Sequence, residues 1–409
     1  MTSTVETPGE SPAAVPHFPM DRAATCPFDP PPTAVAQQKQ APLTKVRMWD
    51  DSTPWLVTGY AEGRALLADP RVSADITLPG YPLQAPLQPD GPRASFILMD
   101  DPEHARLRRM VTAPFAIKRV AALRPAVQGI VDDLIDGMLA GPNPVDLVEA
   151  FALPMPSLVI CELLGVPYRD HGFFQDNSKI IIKRDVDPQQ QIDAFRALLD
   201  YLDDLMGKKL AAPADDLLSG LAERVRSGEL TRDEAAEMGV LLLIAGHETT
   251  ANMIALGTLA LLEHPAQLAL LRDSDDPKLV ASAVEELLRY LNIVHNGRRR
   301  VALEDIDIAG HRVRAGEGLI VANDIGNRDP DAFPEPDRLD IERDARHHVA
   351  FGFGIHQCLG QPLARLELQI VYSTLYRRVP TLRLAADIGR IPFKHDGSVY
   401  GVYELPVTW

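Results

Sequence analysis

The sequence has few cysteines and no excess of basic residues. Its 409 residues include three cysteines, Cys26, Cys161 and Cys358, which are far apart and form no CxxC pair, so neither a disulfide framework nor a structural zinc site is expected. Lys and Arg number 41 against 57 Asp and Glu, which gives a net charge of -16 and argues against a general nucleic-acid binder. The cysteine usage fits a reducing compartment, and we expect a cytoplasmic protein without a nucleic-acid partner.

Long hydrophobic runs are also missing. The densest apolar stretch, residues 238–245, is short, whereas a membrane span needs about 18 apolar residues. Residues 1–20 contain neither lysine nor arginine and have no apolar core of the kind found in secretory signals. The sequence therefore predicts no membrane anchor.

Helix and turn signals predict one large, mainly α-helical domain with a small β portion. Residues 1–40 are rich in proline and are expected to form a tail and an irregular arm, followed by a single domain over residues 41–409. A capping-box pattern at 231–234 begins a helical run that lasts until Pro265, long enough at about 1.5 Å per residue to cross the whole domain. Residues 306–322 alternate around two glycines and predict a β-hairpin.

Cys358 lies in the glycine-rich segment Phe351–Gly360 (FGFGIHQCLG), directly before a predicted helix over residues 362–377. A sulfur at a helix N-terminus faces free backbone N–H groups and the positive end of the helix dipole, and both favour the thiolate. The glycines allow tight bends and close approach to a flat partner. A lone cysteine is most often a buried structural residue. The surrounding glycines and aromatic residues instead favour a metal ligand or a nucleophile.

This segment fits F-x-x-G-x-x-x-C-x-G and resembles the haem-binding loop of the cytochrome P450 family, the haem-thiolate monooxygenases. The resemblance extends over nearly all of the chain from about residue 40 and implies the large helical fold of that family. It implies haem b as the cofactor and Cys358 as the axial thiolate ligand of its iron. Phe351 is then expected beside the ligand loop and His356 at a haem propionate.

The resemblance implies further cations for the two propionates. His104 and Arg108 lie four residues apart on one helix face and match the family's H-x-x-x-R. Arg300 matches the arginine that begins the strand after E-x-x-R. Arg298 and Arg299 depart from the family pattern, which usually has fewer arginines here, and they leave open which arginine faces the haem.

The long helix carries an acid next to a hydroxyl in residues 245–250 (AGHETT). Small residues before the pair leave room for a diatomic ligand, and a mid-helix threonine can bond back to the carbonyl four residues earlier. Glu248 and Thr249 match the acid–alcohol pair of the family's oxygen-activation segment, which delivers protons. The zinc-protease motif H-E-x-x-H is excluded, since its last position is Ala251.

A second family signature, E-x-x-R, is matched by Glu286 and Arg289 on one face of another predicted helix. Arg338 is expected to complete a buried charge triad with them. These three residues are assigned to folding and to the architecture of the haem pocket.

The resemblance implies insertion of one oxygen atom of O2 into an apolar small molecule, by C–H hydroxylation of a secondary metabolite such as a polyketide, macrolide or terpenoid. The chain contains no flavin or iron–sulfur motif, so ferredoxin and ferredoxin reductase are the expected electron donors. A haem-thiolate nitric-oxide reductase or peroxygenase is the alternative, which Glu248 and Thr249 argue against. A non-haem cysteine hydrolase using Cys358 is a remote alternative, and such a protein would be colourless.

Docking of the ferredoxin is expected on a locally basic segment. Between Glu103 and Arg119, five cations stand against the single acid Glu103. Further basic residues flank the cysteine loop in sequence: Arg346, His347, His348 and Arg365. An acidic partner would be steered to such a patch at low salt.

Overall fold

The structure is a computed structural model that describes residues 15–24, 26–86 and 95–409. In this part of the chain most of the regular structure is helical, which confirms the predicted fold class. The helices are α1 (Pro32–Gln38), α2 (Tyr60–Ala68), α3 (Glu103–Thr112), α4 (Ile117–Ala122), α5 (Arg124–Ala140), α6 (Pro154–Leu164), α7 (His171–Ile182), α8 (Pro188–Ala211), α9 (Leu217–Ser227), α10 (Arg232–Glu263), α11 (Pro265–Arg272), α12 (Pro277–Leu291), α13 (Asn323–Gly326) and α14 (Gln361–Arg378).

The strands are short and form three sheets. They are β1 (Leu43–Lys45), β2 (Trp55–Val57), β3 (Val72–Ser73), β4 (Val145–Asp146), β5 (Arg298–Ala302), β6 (Ile306–Ile308), β7 (His311–Val313), β8 (Gly318–Val321), β9 (Arg383–Leu384) and β10 (Pro406–Thr408). The largest sheet has the order β1-β2-β8-β5-β3, in which β2 and β8 are parallel and the other neighbours are antiparallel. The others are β4-β10-β9 and β6-β7.

Helix α10 passes through the core and confirms the long helix predicted from the capping box. The Thr231 hydroxyl accepts a hydrogen bond from the Glu234 N–H, and the Glu234 carboxylate accepts one from the Thr231 N–H. By length and composition this helix could cross a membrane, but 72% of its most apolar window is buried inside the protein. It packs against α6, α8 and α14, so it is a core helix of this domain.

The register of β5 decides where its three arginines point. Arg298 lies opposite Val321 and Arg300 opposite Leu319, so these two arginines share one face of the sheet. Arg299 lies opposite Ile320 on the other face. Three consecutive arginines are thus divided between the two sides of one strand.

The hairpin predicted over residues 306–322 is correct in its first half. Strands β6 and β7 pair around Gly310, which has a φ of 77° that favours glycine. Strand β8 instead joins the five-stranded sheet between β2 and β5. The alternation of apolar and polar residues predicts all three strands, but it does not predict which of them pair with each other.

The proline-rich arm is not irregular throughout. Pro32 occupies the first position of α1, where a proline costs no hydrogen bond. Phe28 is buried in the main core, and its carbonyl accepts a hydrogen bond from Arg328 at 3.2 Å. Phe18 packs on a smaller cluster under the five-stranded sheet. The arm therefore adds to the hydrophobic core of the helical body.

Candidate active site

The cysteine loop is held in a tight path before α14. The Cys358 N–H donates a hydrogen bond to the Phe351 carbonyl at 2.8 Å. Gly352 and Gly354 have φ values of 74° and 75°. A Cβ on Gly354 would lie 2.2 Å from the backbone oxygen of Leu67, so α2 and the loop approach at a distance that only glycine permits.

The surroundings of the Cys358 sulfur act on its pKa in opposite directions, and the net shift is upward. Burial raises the pKa of the Cys358 thiol, while the Arg298 guanidinium and the backbone N–H groups of Gly360 and Gln361 act in the opposite direction. Gln361 is the first residue of α14, so these N–H groups belong to the start of that helix. The predicted helix-terminus environment of the sulfur is present.

Cys358 lines a cavity of about 420 Å³ that is bounded by α10, α14, β5 and the cysteine loop. Much of the cavity wall is apolar, including Phe96, Ile160, Leu241, Leu242, Ile293 and Val294. A large apolar cavity with a few polar groups is the usual form of a site for a cofactor and a small molecule.

His104 and His356 form a second polar part of the site. Their ring centroids are 4.2 Å apart, and Nδ1 of His104 lies 3.0 Å from a carboxylate oxygen of Asp101. Nε2 of His104 and both ring nitrogens of His356 are buried without a hydrogen-bond partner in the described residues. Buried polar atoms are rarely left unsatisfied, so these nitrogens indicate a missing polar partner.

The positively charged residues around His356 indicate that the missing partner is an anion. Burial, with Arg300, His104 and Arg108 nearby, lowers the pKa of His356 to about 3. The Arg108 guanidinium donates to the Gln357 carbonyl at 2.5 Å, which ties α3 to the cysteine loop. Arg108, Arg300 and His356 all line the cavity of Cys358, and a haem with two carboxylates fits this group.

Arg298 also faces this space. It shares the sheet face of Arg300, lines the same cavity and acts on the Cys358 sulfur as a neighbouring positive charge. Arg299 lines the cavity from the opposite face of β5. Strand alternation could have separated these arginines in the sequence, because every second side chain of a strand points the same way.

Thr249 lines the cavity of Cys358, and its hydroxyl donates to the Ala245 carbonyl at 2.8 Å. This is the predicted back-bond to the residue four positions earlier. The space beside Gly246 is filled, because a Cβ there would lie 2.5 Å from Cγ1 of Ile160 on α6. The small residue at 246 therefore serves helix packing, and both Ala245 and Gly246 border the cavity.

Glu248 faces a different cavity, of about 890 Å³, on another side of α10. Its carboxylate lies 3.6 Å from Nε2 of His247, and one of its oxygens is buried without a hydrogen-bond partner among the described residues. Burial would raise the pKa of Glu248, but His247, Lys394 and Lys179 offset it, and the net shift is downward. The acid is thus held ionised. The His247 ring also bonds to the Leu243 carbonyl at 2.7 Å.

Glu367, which the sequence analysis missed, also lines the cavity of Cys358. Burial raises the pKa of Glu367 to about 8, although a hydrogen bond with Thr250 acts the other way. The acid on α14 is therefore mainly neutral near pH 7. A signal was present in the sequence, because Glu367 falls on the same helix face as Leu363 and Ile370.

The charge cluster built on E-x-x-R differs from the prediction in its third member. Glu286 and Arg289 are fully buried and paired at 2.7 Å. Arg338 is wrong as the third residue, because its side chain is 59% exposed and pairs with Glu335 and Asp340. Arg343 takes that place, with Nε 3.2 Å from the Glu286 carboxylate.

Several cations expected in a docking patch are already paired. Arg106 contacts Glu103 and Glu234. Arg365 and His348 both pair with Glu285, and Arg346 pairs with Asp344. Arg365 also lies 4.7 Å from the ring centroid of Phe351, which lines the cavity. Three exposed cations form no ion pair with the described residues: Arg109, Lys118 and Arg119.

The cavity has a cysteine sulfur at a helix N-terminus in one wall and arginines in another, which fits one class of protein, the haem-thiolate enzymes. Comparisons with known proteins identify the family. A family model described as Cytochrome P450 matches residues 213–379. Cytochrome P450 GfsF of Streptomyces halstedii is 57% identical over 100% of both chains, and cytochrome P450 CYP105Q4 of Mycobacterium marinum is 54% identical over 100% of both.

Solved structures agree in fold. The crystal structure of GfsF has a TM-score of 0.90 and covers 97% of this chain and 100% of that one. The mycinamicin VIII C21 methyl hydroxylase MycCI of Micromonospora griseorubida, bound to mycinamicin VIII, has a TM-score of 0.91 at 43% identity, with coverage of 97% and 100%. This chain belongs to the cytochrome P450 family and is a monooxygenase. Its family implies a cysteine-ligated haem, redox partners and a small-molecule substrate.

Proposed function

We propose that the chain holds haem b through Cys358 and inserts one oxygen atom of O2 into a C–H bond of an apolar secondary metabolite. The observation that carries the proposal is the Cys358 sulfur, which lines an apolar cavity and is faced by backbone N–H groups. When bound, the haem supplies the redox chemistry that activates O2. The name of MycCI, a methyl hydroxylase, and the mycinamicin VIII in its structure support a macrolide-like substrate class.

The chain's own residues bind and orient the cofactor in this proposal. His104, Arg108, Arg300 and His356 hold the two propionates, which gives the orphaned ring nitrogens their partner. Neutral His356 donates one N–H to a carboxylate, in keeping with its lowered pKa. Phe351 lines the cavity beside the ligand loop and limits access of water to the sulfur.

Glu248 and Thr249 supply protons in this proposal. The ionised carboxylate of Glu248 accepts a proton from water in the second cavity, and the Thr249 hydroxyl passes a proton into the cavity of Cys358. Lys394 and Lys179 stabilise the ionised form of Glu248. The largely neutral Glu367 lies on the cavity wall that α14 provides and is left outside this relay.

Electrons come from a ferredoxin and its reductase in the cytoplasm, because the sequence contains no flavin or iron–sulfur motif. A nitric-oxide reductase or peroxygenase is the alternative chemistry for a haem-thiolate site. Neither reaction needs a relay that protonates bound O2, so the buried, ionised Glu248 next to Thr249 favours the monooxygenase.

The test is the CO spectrum of the reduced protein. The wild type is expected to be coloured and to show the red-shifted Soret band of a thiolate-ligated haem, which Cys358→Ser should abolish. Cys26→Ser and Cys161→Ser are matched controls that should keep the band, since neither residue lines the cavity of Cys358. A normal thiolate spectrum in Cys358→Ser would end the proposal.

A further inference from the structure

The Arg299 side chain carries a positive charge that has no anionic partner among the described residues. It lines the cavity of Cys358, but it does so from the sheet face opposite Arg298 and Arg300. Its Nε is buried and has no hydrogen-bond partner, and the guanidinium forms no ion pair with any residue that the structure describes. Arg299 as a whole is half-buried, and a charge that is mostly withdrawn from water without a counter-charge is costly, so a partner for Arg299 is expected.

The neighbours of Arg299 that the structure describes do not supply that charge. With the Gln84 amide oriented so that its oxygen faces the guanidinium, this oxygen lies 2.7 Å from Nη1 and 2.8 Å from Nη2 of Arg299. Burial lowers the pKa of Arg299 to about 10, with Tyr81 acting against this shift and Arg184 adding to it. Gln84 is neutral, Tyr81 is protonated because its pKa is raised, and Arg184 repels.

The charges of the whole cavity lead to the same conclusion. Among the described residues, four arginines line it: Arg108, Arg298, Arg299 and Arg300. The one carboxyl group among its described lining residues is Glu367, whose pKa of about 8 leaves it mainly neutral near pH 7. The two propionates of a bound haem offset two of these charges, and the ferric iron is balanced by the porphyrin nitrogens and the thiolate. The filled cavity keeps an excess of positive charge.

We propose that Arg299 binds a carboxylate of the substrate, so that the enzyme selects acids over their neutral analogues. The Gln84 oxygen accepts from both Nη atoms, so these two donors are available to a carboxylate oxygen that takes its place. A substrate carboxylate at this position exchanges a neutral acceptor for a charged one and reduces the excess of positive charge. The inference rests on the proposed haem-thiolate function, and it narrows the substrate of that site to a largely apolar molecule that carries one carboxylate.

The experiment uses the haem-loaded protein and ligands anchored to the iron. The probes are ω-(imidazol-1-yl)alkanoic acids of increasing chain length and the matching primary amides, whose imidazole nitrogen shifts the Soret band on binding. We expect the acid to bind at least about tenfold more tightly than the amide at the chain length that reaches Arg299. Arg299→Gln should remove this preference and leave the affinity of the amide unchanged, and Arg299→Lys should keep part of it.

Arg314→Gln is the matched control, because Arg314 is exposed in the turn between β7 and β8. Equal binding of acid and amide by the wild type at every chain length would overturn the inference, and this comparison needs no variant to fold. Survival of the acid preference in Arg299→Gln would overturn it as well. Failure of the haem-thiolate function has a different signature, since neither acid nor amide would then shift the Soret band.

Discussion

Glu248 and Thr249 are adjacent in sequence but line different cavities on two sides of α10. Successive residues of a helix are about 100° apart, which places the carboxylate in one cavity and the hydroxyl in the other. The charged residues Lys179 and Lys394 are on the side of Glu248, and Cys358 is on the side of Thr249. The pair therefore lies between a cavity that holds charged residues and the apolar cavity of the cysteine.

This arrangement predicts that a variant without the Thr249 hydroxyl still consumes NAD(P)H but forms less product from it. Thr249→Ala should keep haem content and substrate affinity and should lower the product formed per NAD(P)H by about tenfold or more, because the last proton donor is lost. Thr249→Ser keeps the hydroxyl and is the matched control. The measurement is product together with peroxide formed per NAD(P)H consumed.

Glu248→Gln tests the other side of the helix. The amide cannot take a proton from the second cavity, so turnover should fall while the Soret band and the substrate-induced shift stay as in the wild type. If both Thr249→Ala and Glu248→Gln form product with wild-type yield per NAD(P)H, the assignment of the pair to proton delivery is wrong.

The correction from Arg338 to Arg343 gives a stability prediction. Arg343→Gln removes one charged hydrogen bond to the buried Glu286, which keeps Arg289, and should destabilise the protein by about 2 kcal/mol. Arg338→Gln should leave stability unchanged, because its side chain is exposed and its ion pairs are 3.4 and 3.8 Å long. Urea unfolding monitored by haem release and by circular dichroism measures both. Equal losses in the two variants would contradict the structural assignment.

These two arginines also show where sequence-based prediction stops. The ends of α10 follow from local chemistry, a capping box at Thr231 and a proline at 265, so its bounds could be predicted closely. Arg338 and Arg343 both lie in an irregular segment after α13, outside regular structure. Which of them reaches Glu286 depends on the path of that segment through space. An irregular segment has no helical or strand periodicity from which this path could be predicted.

The candidate site likewise contains residues that the sequence predicts and residues that only the fold brings together. Cys358, His356 and Phe351 belong to one continuous segment, and the glycines within it predict its tight backbone path from the amino-acid order alone. Lys394, which stabilises the ionised Glu248, lies far along the chain and only the folded structure brings the two together. Glu367 was within reach of the sequence, because an acid on an apolar helix face is a visible exception to its pattern.

Glu367 predicts a pH effect on stability. Its pKa rises from an ordinary value of 4.5 to about 8 in the folded protein, so the folded state binds more protons than the unfolded state between these values. Stability should therefore fall as pH rises from about 4.5 to 8, and Glu367→Gln should lose this part of the slope. Thermal unfolding of both proteins across this range is the measurement. A slope that is the same in the variant and the wild type would show that Glu367 is not the group responsible.

The last prediction concerns the electron donor. Arg109, Lys118 and Arg119 are the exposed cations left without an ion pair in the described part of the basic segment, and the Arg108–Gln357 hydrogen bond ties the preceding turn to the cysteine loop. Arg109→Glu and Lys118→Glu should slow reduction by an acidic ferredoxin at low salt and leave the substrate-induced spectral shift intact. The defect should shrink as salt rises, since exposed charges are screened over about 10 Å at 0.1 M. Lys39→Glu, a charge reversal at the exposed end of α1, is the matched control. The measurement is the rate of reduction by stopped flow. If Arg109→Glu and Lys118→Glu are both reduced at the wild-type rate at low salt, the ferredoxin docks elsewhere.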